Sequence, residues 1–109
     1  MKIVIVGGGR IGYAIARQLV QEGHDITVIE RSASQAEFIS TTLDVIVVQG
    51  RANVEQLQIA GAGSADLLIA ATMSDETNII SCAVAKKLGA KHTIARIRDE
   101  EYYQDSVLL

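Results

Sequence analysis

The sequence holds little that redox chemistry or catalysis would use. Cys82 is the one cysteine among 109 residues, so an internal disulfide is excluded and a reducing compartment is expected. It falls on the apolar side of an expected helix, where a thiol usually serves as a small core residue. The two histidines, His24 and His92, lie far apart in the chain and form no cluster. There is no basic stripe. Net charge is −3 with acids and bases interspersed, which argues against a nucleic-acid partner. The apolar runs are far too short to cross a membrane, so no direct membrane insertion is expected. The first apolar run begins directly behind Met1, and no signal peptide is expected there. Linkers, repeats and low-complexity stretches are missing too. What remains is the composition of one globular domain with one core: 49% hydrophobic and 21% charged.

Against that background one stretch names a ligand. Ile3-Val4-Ile5-Val6 runs into Gly7-Gly8-Gly9-Arg10-Ile11-Gly12. A helical pattern follows through Val20, then a second apolar run, Ile26 to Ile29, closed by Glu30. Strand, glycine turn, helix, strand and acid together form the dinucleotide fingerprint in its full context. Gly7 lets the chain turn off the strand. Gly9 has no Cβ, so backbone can approach a pyrophosphate. Gly12 lets the helix pack tightly. The free N–H groups at the helix start face the phosphates. Glu30 is placed to accept hydrogen bonds from ribose hydroxyls.

The rest of the chain alternates in the same way, which predicts an α/β, Rossmann-like, doubly wound parallel sheet. Strands are expected at 2–6, 25–30, 44–48, 67–71 and 92–97. Helices are expected at 10–22, 34–42, 54–60 and 74–88, with a last helical segment from about Asp99. Asp75 and Glu76 at the start of the fourth helix, and Lys86 and Lys87 at its end, suit the helix dipole. Adjacent acids can resemble a metal pair, but at a helix start caps and dipole partners are the commoner role. Right-handed crossovers give strand order 3-2-1-4-5. The usual sixth strand is missing, and the apolar end Val107-Leu108-Leu109 lacks a polar tail. Both lead to the expectation of a single nucleotide-binding domain, 1–109, cut short at its C-terminus or packed on another chain.

Ligands of open parallel sheets bind beyond the carboxyl ends of the strands. The loops after the first four strands are therefore the expected lining: Gly7 to Gly12; Glu30 and Arg31; Gly50, Arg51, Ala52 and Asn53; Thr72, Met73 and Ser74. A carboxylate at Glu30 repels a 2′-phosphate, favouring NAD or another adenosine nucleotide over NADP. Arg31 complicates this, since an adjacent guanidinium can accept such a phosphate; stacking on adenine or pointing to water suits it better. Arg10 pairs with a polyphosphate or is a solvated first-turn arginine. Thr72 and Ser74 are caps or ligand contacts, and capping suits Ser74 best. No residue set fits hydride-transfer catalysis, and no chain is left for a substrate domain. A binding module is expected rather than an enzyme.

Further motifs carry a resemblance. They are Gln49-Gly50-Arg51-Ala52-Asn53; Ala65-Asp66-Leu67 through Thr72; Asp75-Glu76-Thr77-Asn78; Ala85 to Gly89; and Ile94-Ala95-Arg96-Ile97. With the glycine loop, these resemble the N-terminal nucleotide-binding domain, RCK or KTN, of Trk/Ktr potassium-uptake regulators. The resemblance covers nearly the whole chain. It implies a cytoplasmic regulatory subunit, peripheral to the membrane, that binds NAD or NADH, with ATP and ADP as further candidates. It also implies a homodimer, with assembly into higher rings, that gates a transmembrane potassium transporter or channel. By position it assigns Gly7, Gly8, Gly9, Arg10, Ile11 and Gly12 to the phosphate loop and Glu30, beside Arg31, to the adenosine ribose. It assigns Gly50, Ala52 and Asn53 to the adenine side, Thr72 and Met73 to the middle of the ligand, and Arg96 to a phosphate or the dimer partner. Gly50-Arg51-Ala52-Asn53 departs from the family's usual Gly-Asp-Ala-Thr. The alternative function is the cofactor half of an NAD-dependent oxidoreductase.

Overall fold

In the computed structural model, which describes residues 1–101, five strands form one parallel sheet. They are β1 (Lys2–Val6), β2 (Asp25–Glu30), β3 (Ile46–Gln49), β4 (Leu67–Ala70) and β5 (His92–Ala95), in the order β3-β2-β1-β4-β5. The crossovers are α1 (Arg10–Gln21), α2 (Ala33–Thr42), α3 (Val54–Ile59) followed by a 3₁₀ turn (Ala62–Ser64), and α4 (Asp75–Leu88). Order and class match the sequence reading. The apolar tail, with Tyr102, Tyr103, Val107, Leu108 and Leu109, lies outside the described residues.

Strand alternation divides the core between the two faces of the sheet. Ile3 and Ile5 of β1 face one side with Ile26, Val28 and Ile39, where Ile11, Ile15 and Leu19 of α1 pack on them. Val4 and Val6 face the other side with Ile29, Leu57, Leu68 and Ala85, against α3 and α4. A β1 covered on both faces needs apolar residues at every position, which is why Ile3 to Val6 shows no polar alternation. Ile3, Ile5, Leu57 and Leu68 are fully buried, each contributing about 2 kcal/mol by removal of its side chain from water.

Two strand ends differ from expectation by two residues, and the ends of the third and fourth strands by one. The third strand begins at Ile46, paired with Thr27, rather than at Asp44, because α2 runs to Thr42 and the chain needs Leu43 to Val45 to turn. The fifth strand stops at Ala95 rather than Ile97. There the α4 N-terminus draws the chain off the sheet: the Asp75 carboxylate accepts from the Arg98 and Asp99 N–H groups at 3.0 and 2.8 Å. Lys86 and Lys87 do sit in the last turn of α4, and Ser74 caps its first turn by accepting from Thr77 N–H at 3.2 Å.

Candidate nucleotide-binding site

The carboxyl ends of the strands open into a crevice of about 930 Å³. Its position follows from topology. β1 sends its crossover to one side through α1, while β4 is reached on the other side, so the loops after β1 and β4 diverge and leave a gap. Gly7, Gly9, Arg10 and Ile11 line it from the first loop, Glu30 and Arg31 from the second, and Gly50, Ala52 and Asn53 from the third. Thr72 and Met73 line it from the fourth and Arg96 from the fifth.

Gly8 and Gly12 are the two expected site residues that do not line the crevice. Both shape the loop from behind. Gly8 is buried against α2, its N–H donating to Glu30 Oε1 at 2.8 Å and its carbonyl accepting from Gln35 Nε2 at 2.6 Å. Gly12 sits under the turn: a Cβ there would lie 1.8 Å from the Gly7 carbonyl oxygen. Gly7 itself has φ of 96°, a conformation that a side chain would strain. Gly9 is different. Its backbone is extended and a Cβ would meet nothing within 4 Å, so the open space beside it is the crevice itself.

Glu30 has two tasks. Besides the bond from Gly8, its Oε2 accepts from Ser32 N–H at 2.8 Å. The carboxylate thus ties the glycine loop to the start of α2 while lining the crevice, where its remaining lone pairs can meet ribose hydroxyls. Asn53 caps α3 by accepting from Gln56 N–H at 2.9 Å. Thr72 is held in place rather than presented: its hydroxyl lies 2.7 Å from Asn78 Oδ1, which also accepts from Thr72 N–H at 2.9 Å.

Asn78 is the most consequential residue that the sequence reading left without a role. It is fully buried, and its Nδ2 donates to the carbonyls of Thr72 at 3.0 Å and Arg96 at 2.9 Å. One amide thereby fixes the loops after β4 and β5, and Asp75 holds the next residues of the second loop. The Asp75-Glu76-Thr77-Asn78 stretch carries the signal, but its spacing shows only a helix start. Arg51 and Arg98 also line the crevice. Arg98 was missed because the expected lining stopped at the fourth strand.

Asp66, Cys82 and His24 lie away from the crevice lining. Asp66 accepts from Lys2 N–H at 2.8 Å and pairs with Lys91 at 3.2 Å. The Lys2 hydrogen bond first, and then Lys91, hold its carboxyl below the ordinary value of 3.8. Cys82 packs against the α3–α4 core, and burial pushes its thiol above the ordinary 9.0. His24 Nδ1 meets the Met1 amino group at 3.2 Å in the turn before β2. Among the described residues no group of acids, histidines and cysteine could hold a metal, and no helix is long and apolar enough to cross a membrane.

The profile of the TrkA-N domain family matches residues 3–107. The chain belongs to the TrkA-N family. The Trk system potassium uptake protein TrkA homolog of Archaeoglobus fulgidus is 43% identical over 103 residues, covering 94% of this chain and 23% of its own length. The TrkA of Vibrio alginolyticus is 40% identical over 111 residues, covering 100% and 24%. This TrkA-N chain therefore spans about a quarter of the length of those relatives. Among solved structures, the AMP-bound C-terminal domain of Kef from Shewanella denitrificans superposes with a TM-score of 0.82 at 28% identity, covering 99% of this chain and 67% of that one. The NAD-bound GsuK channel gives 0.83 at 23% identity, covering 98% and 20%, a likeness of fold. The TrkA-N match spans the glycine loop, Glu30 and the Asp75–Asn78 stretch alike.

Proposed function

We propose that this TrkA-N domain is the nucleotide-sensing part of a potassium-uptake regulator. It binds NAD(H) or an adenine nucleotide in the crevice and passes that occupancy to a transmembrane potassium transporter. The observation that carries the reading is the crevice at the switch point, with Gly9 open beneath it and Glu30 in its lining. The TrkA relatives named for potassium uptake, and the AMP-bound Kef domain, support it. Phosphates lie over the Gly7–Gly12 turn and the α1 N-terminus. Glu30 accepts from the adenosine ribose, Ala52 and Asn53 lie along adenine, and Thr72 and Met73 approach the middle of the ligand. The domain acts as a regulatory module and not as an enzyme, on the cytoplasmic side of the membrane.

Regulation needs more than affinity. The nucleotide must bind one assembly state better than another, since equal affinity for both shifts nothing. A homodimer, extended to a ring in the whole protein, supplies the two states. Calorimetric titration with NAD, NADH, ATP, ADP and NADP tests the binding. At least one of the first four should saturate a single site, with NADP the weakest. Absence of binding by all of them overturns the proposal. Light scattering at micromolar concentration should show a dimer with and without nucleotide. A monomer in both states overturns the assembly half.

A further inference from the structure

The glycine turn and the chain leaving β5 stand at opposite ends of an unbroken set of contacts. Gly7 lies directly against Thr72: a Cβ placed on it would come within 2.9 Å of Thr72 Cγ2 and 3.1 Å of Thr72 N. Thr72 gives its N–H and its hydroxyl to Asn78 Oδ1, at 2.9 and 2.7 Å, and its carbonyl accepts from Asn78 Nδ2 at 3.0 Å. The second hydrogen of that Nδ2 goes to the Arg96 carbonyl at 2.9 Å. One turn earlier on α4, Asp75 takes the next two residues of the same loop: Oδ1 accepts from Arg98 N–H at 3.0 Å and Oδ2 from Asp99 N–H at 2.8 Å.

These contacts are stiff for a physical reason. Asn78 is fully buried, and both donors and both acceptor positions of its amide are taken. A buried amide has no solvent to replace a lost bond. It cannot follow a movement of Thr72 without carrying the Arg96 carbonyl along or leaving a polar atom unpaired. Asp75 is 8% exposed and spends both oxygens on backbone N–H groups. The register between β4 and β5 ends at Ala70 and Ala95. Past it, Asn78 and Asp75 tie the two loops together, with Arg98 Nη1 donating to the Met73 carbonyl at 3.4 Å as a longer contact. Asn78 itself does not line the crevice, whereas Thr72 does.

Resting on the nucleotide reading above, we infer that Asn78 is a positioning residue that couples occupancy of the crevice to the chain leaving β5. An occupant seated at the Gly7 turn holds Thr72. The Asn78 amide carries that constraint to Arg96, and Asp75 extends it to Asp99. With the crevice empty, the segment from Arg96 to Asp99 opens more often; with it filled, the segment is held. By linkage, whatever draws that segment off Asp75 weakens the occupant by the same factor.

Amide hydrogen exchange read by NMR, on the chain alone, with excess NADH and with excess ADP, tests this. In the wild type a bound nucleotide should slow exchange at Gly9 and Arg10, and should slow it at Arg98 and Asp99 by at least about fivefold. At saturating nucleotide, Asn78→Ala should keep the slowing at Gly9 and Arg10 and lose it at Arg98 and Asp99. Asp75→Asn breaks the last link, leaves the Asn78 amide in place and should give the same separation; it decides the matter if Asn78→Ala does not fold. Exchange at Arg98 and Asp99 that ignores the nucleotide in the wild type, or responds to it equally in the variants, overturns the inference and leaves the nucleotide reading standing. No slowing at Gly9 and Arg10 with either nucleotide overturns the nucleotide reading together with this one.

Discussion

Gly9 and Gly12 are three residues apart, at the N-cap and in the first turn of α1, yet they answer to different constraints. A methyl at Gly9 projects into empty crevice, and one at Gly12 projects into the Gly7 carbonyl. Gly9→Ala should therefore fold with an unchanged melting temperature and lose nucleotide binding. Gly12→Ala should lose about 3 kcal/mol of stability, because the loop must open to admit the methyl. Paired denaturation and calorimetry check this, and retained binding in Gly9→Ala would place the phosphates elsewhere. Glu30 combines the two constraints. Glu30→Ala leaves the Gly8 and Ser32 N–H groups without their partner and should cost about 2 kcal/mol with no ligand present. NAD affinity should fall as well, with NADP affected less. An unchanged melting temperature would refute the bracing role, and unchanged NAD affinity the ribose role.

At the scale of elements, α4 does more than cover the sheet. Its first turn carries Asp75 and Asn78, which join the loops after β4 and β5 into one wall of the crevice. Asn78→Leu keeps volume and removes the Asn78 bonds alone, leaving the Thr72 N–H and the Thr72 and Arg96 carbonyls without that partner. We expect a loss of about 3 kcal/mol in urea denaturation, together with weaker nucleotide binding. Ser81, one turn later and equally buried, is the contrast. Its hydroxyl is the one buried side-chain polar group among the described residues without a hydrogen-bond partner. Ser81→Ala should be neutral or raise stability by about 1 kcal/mol, since it removes an uncompensated desolvation. A loss above that size would mean that Oγ has a partner in solution.

For the molecule as a whole, charge is spent in two different ways. On the side of the sheet opposite the crevice, Asp66 ties the start of β1 to Lys91 before β5. A carboxyl held below 3.8 in the folded state contributes stability above that pH and loses it as pH falls through the folded value. Thermal melts of wild type and Asp66→Asn should thus differ at neutral pH and converge below pH 3.8. A difference that persists into strong acid would remove Asp66 as the cause. At the crevice end the lining arginines form no ion pair among the described residues. Ligand binding should raise the melting temperature, because only the folded chain assembles the crevice.

The parallel α/β architecture, its 3-2-1-4-5 order and the place of the crevice were legible in the residues themselves. Apolar runs of strand length, glycine and acid punctuation, and helical periodicity are local signals, and crossover handedness turns them into topology. The glycine loop and Glu30 belong to that group, and twelve of the fourteen expected site residues line the crevice. What the tertiary structure alone decided depends on contacts between residues far apart in sequence. Gly8 meets Glu30 across 22 residues, Asn78 meets Arg96 across 18, and Asp75 meets Arg98 across 23. A polar residue in a helix's first turn looks the same whether it caps its own helix, as Ser74 does, or clamps a distant loop, as Asp75 does. Side-chain hydrogen bonding has no period along the chain, so only the folded arrangement shows which partner it found. The convergence of five arginines has the same origin: each is an ordinary loop cation in the sequence, and the sheet brings the ends of its strands together.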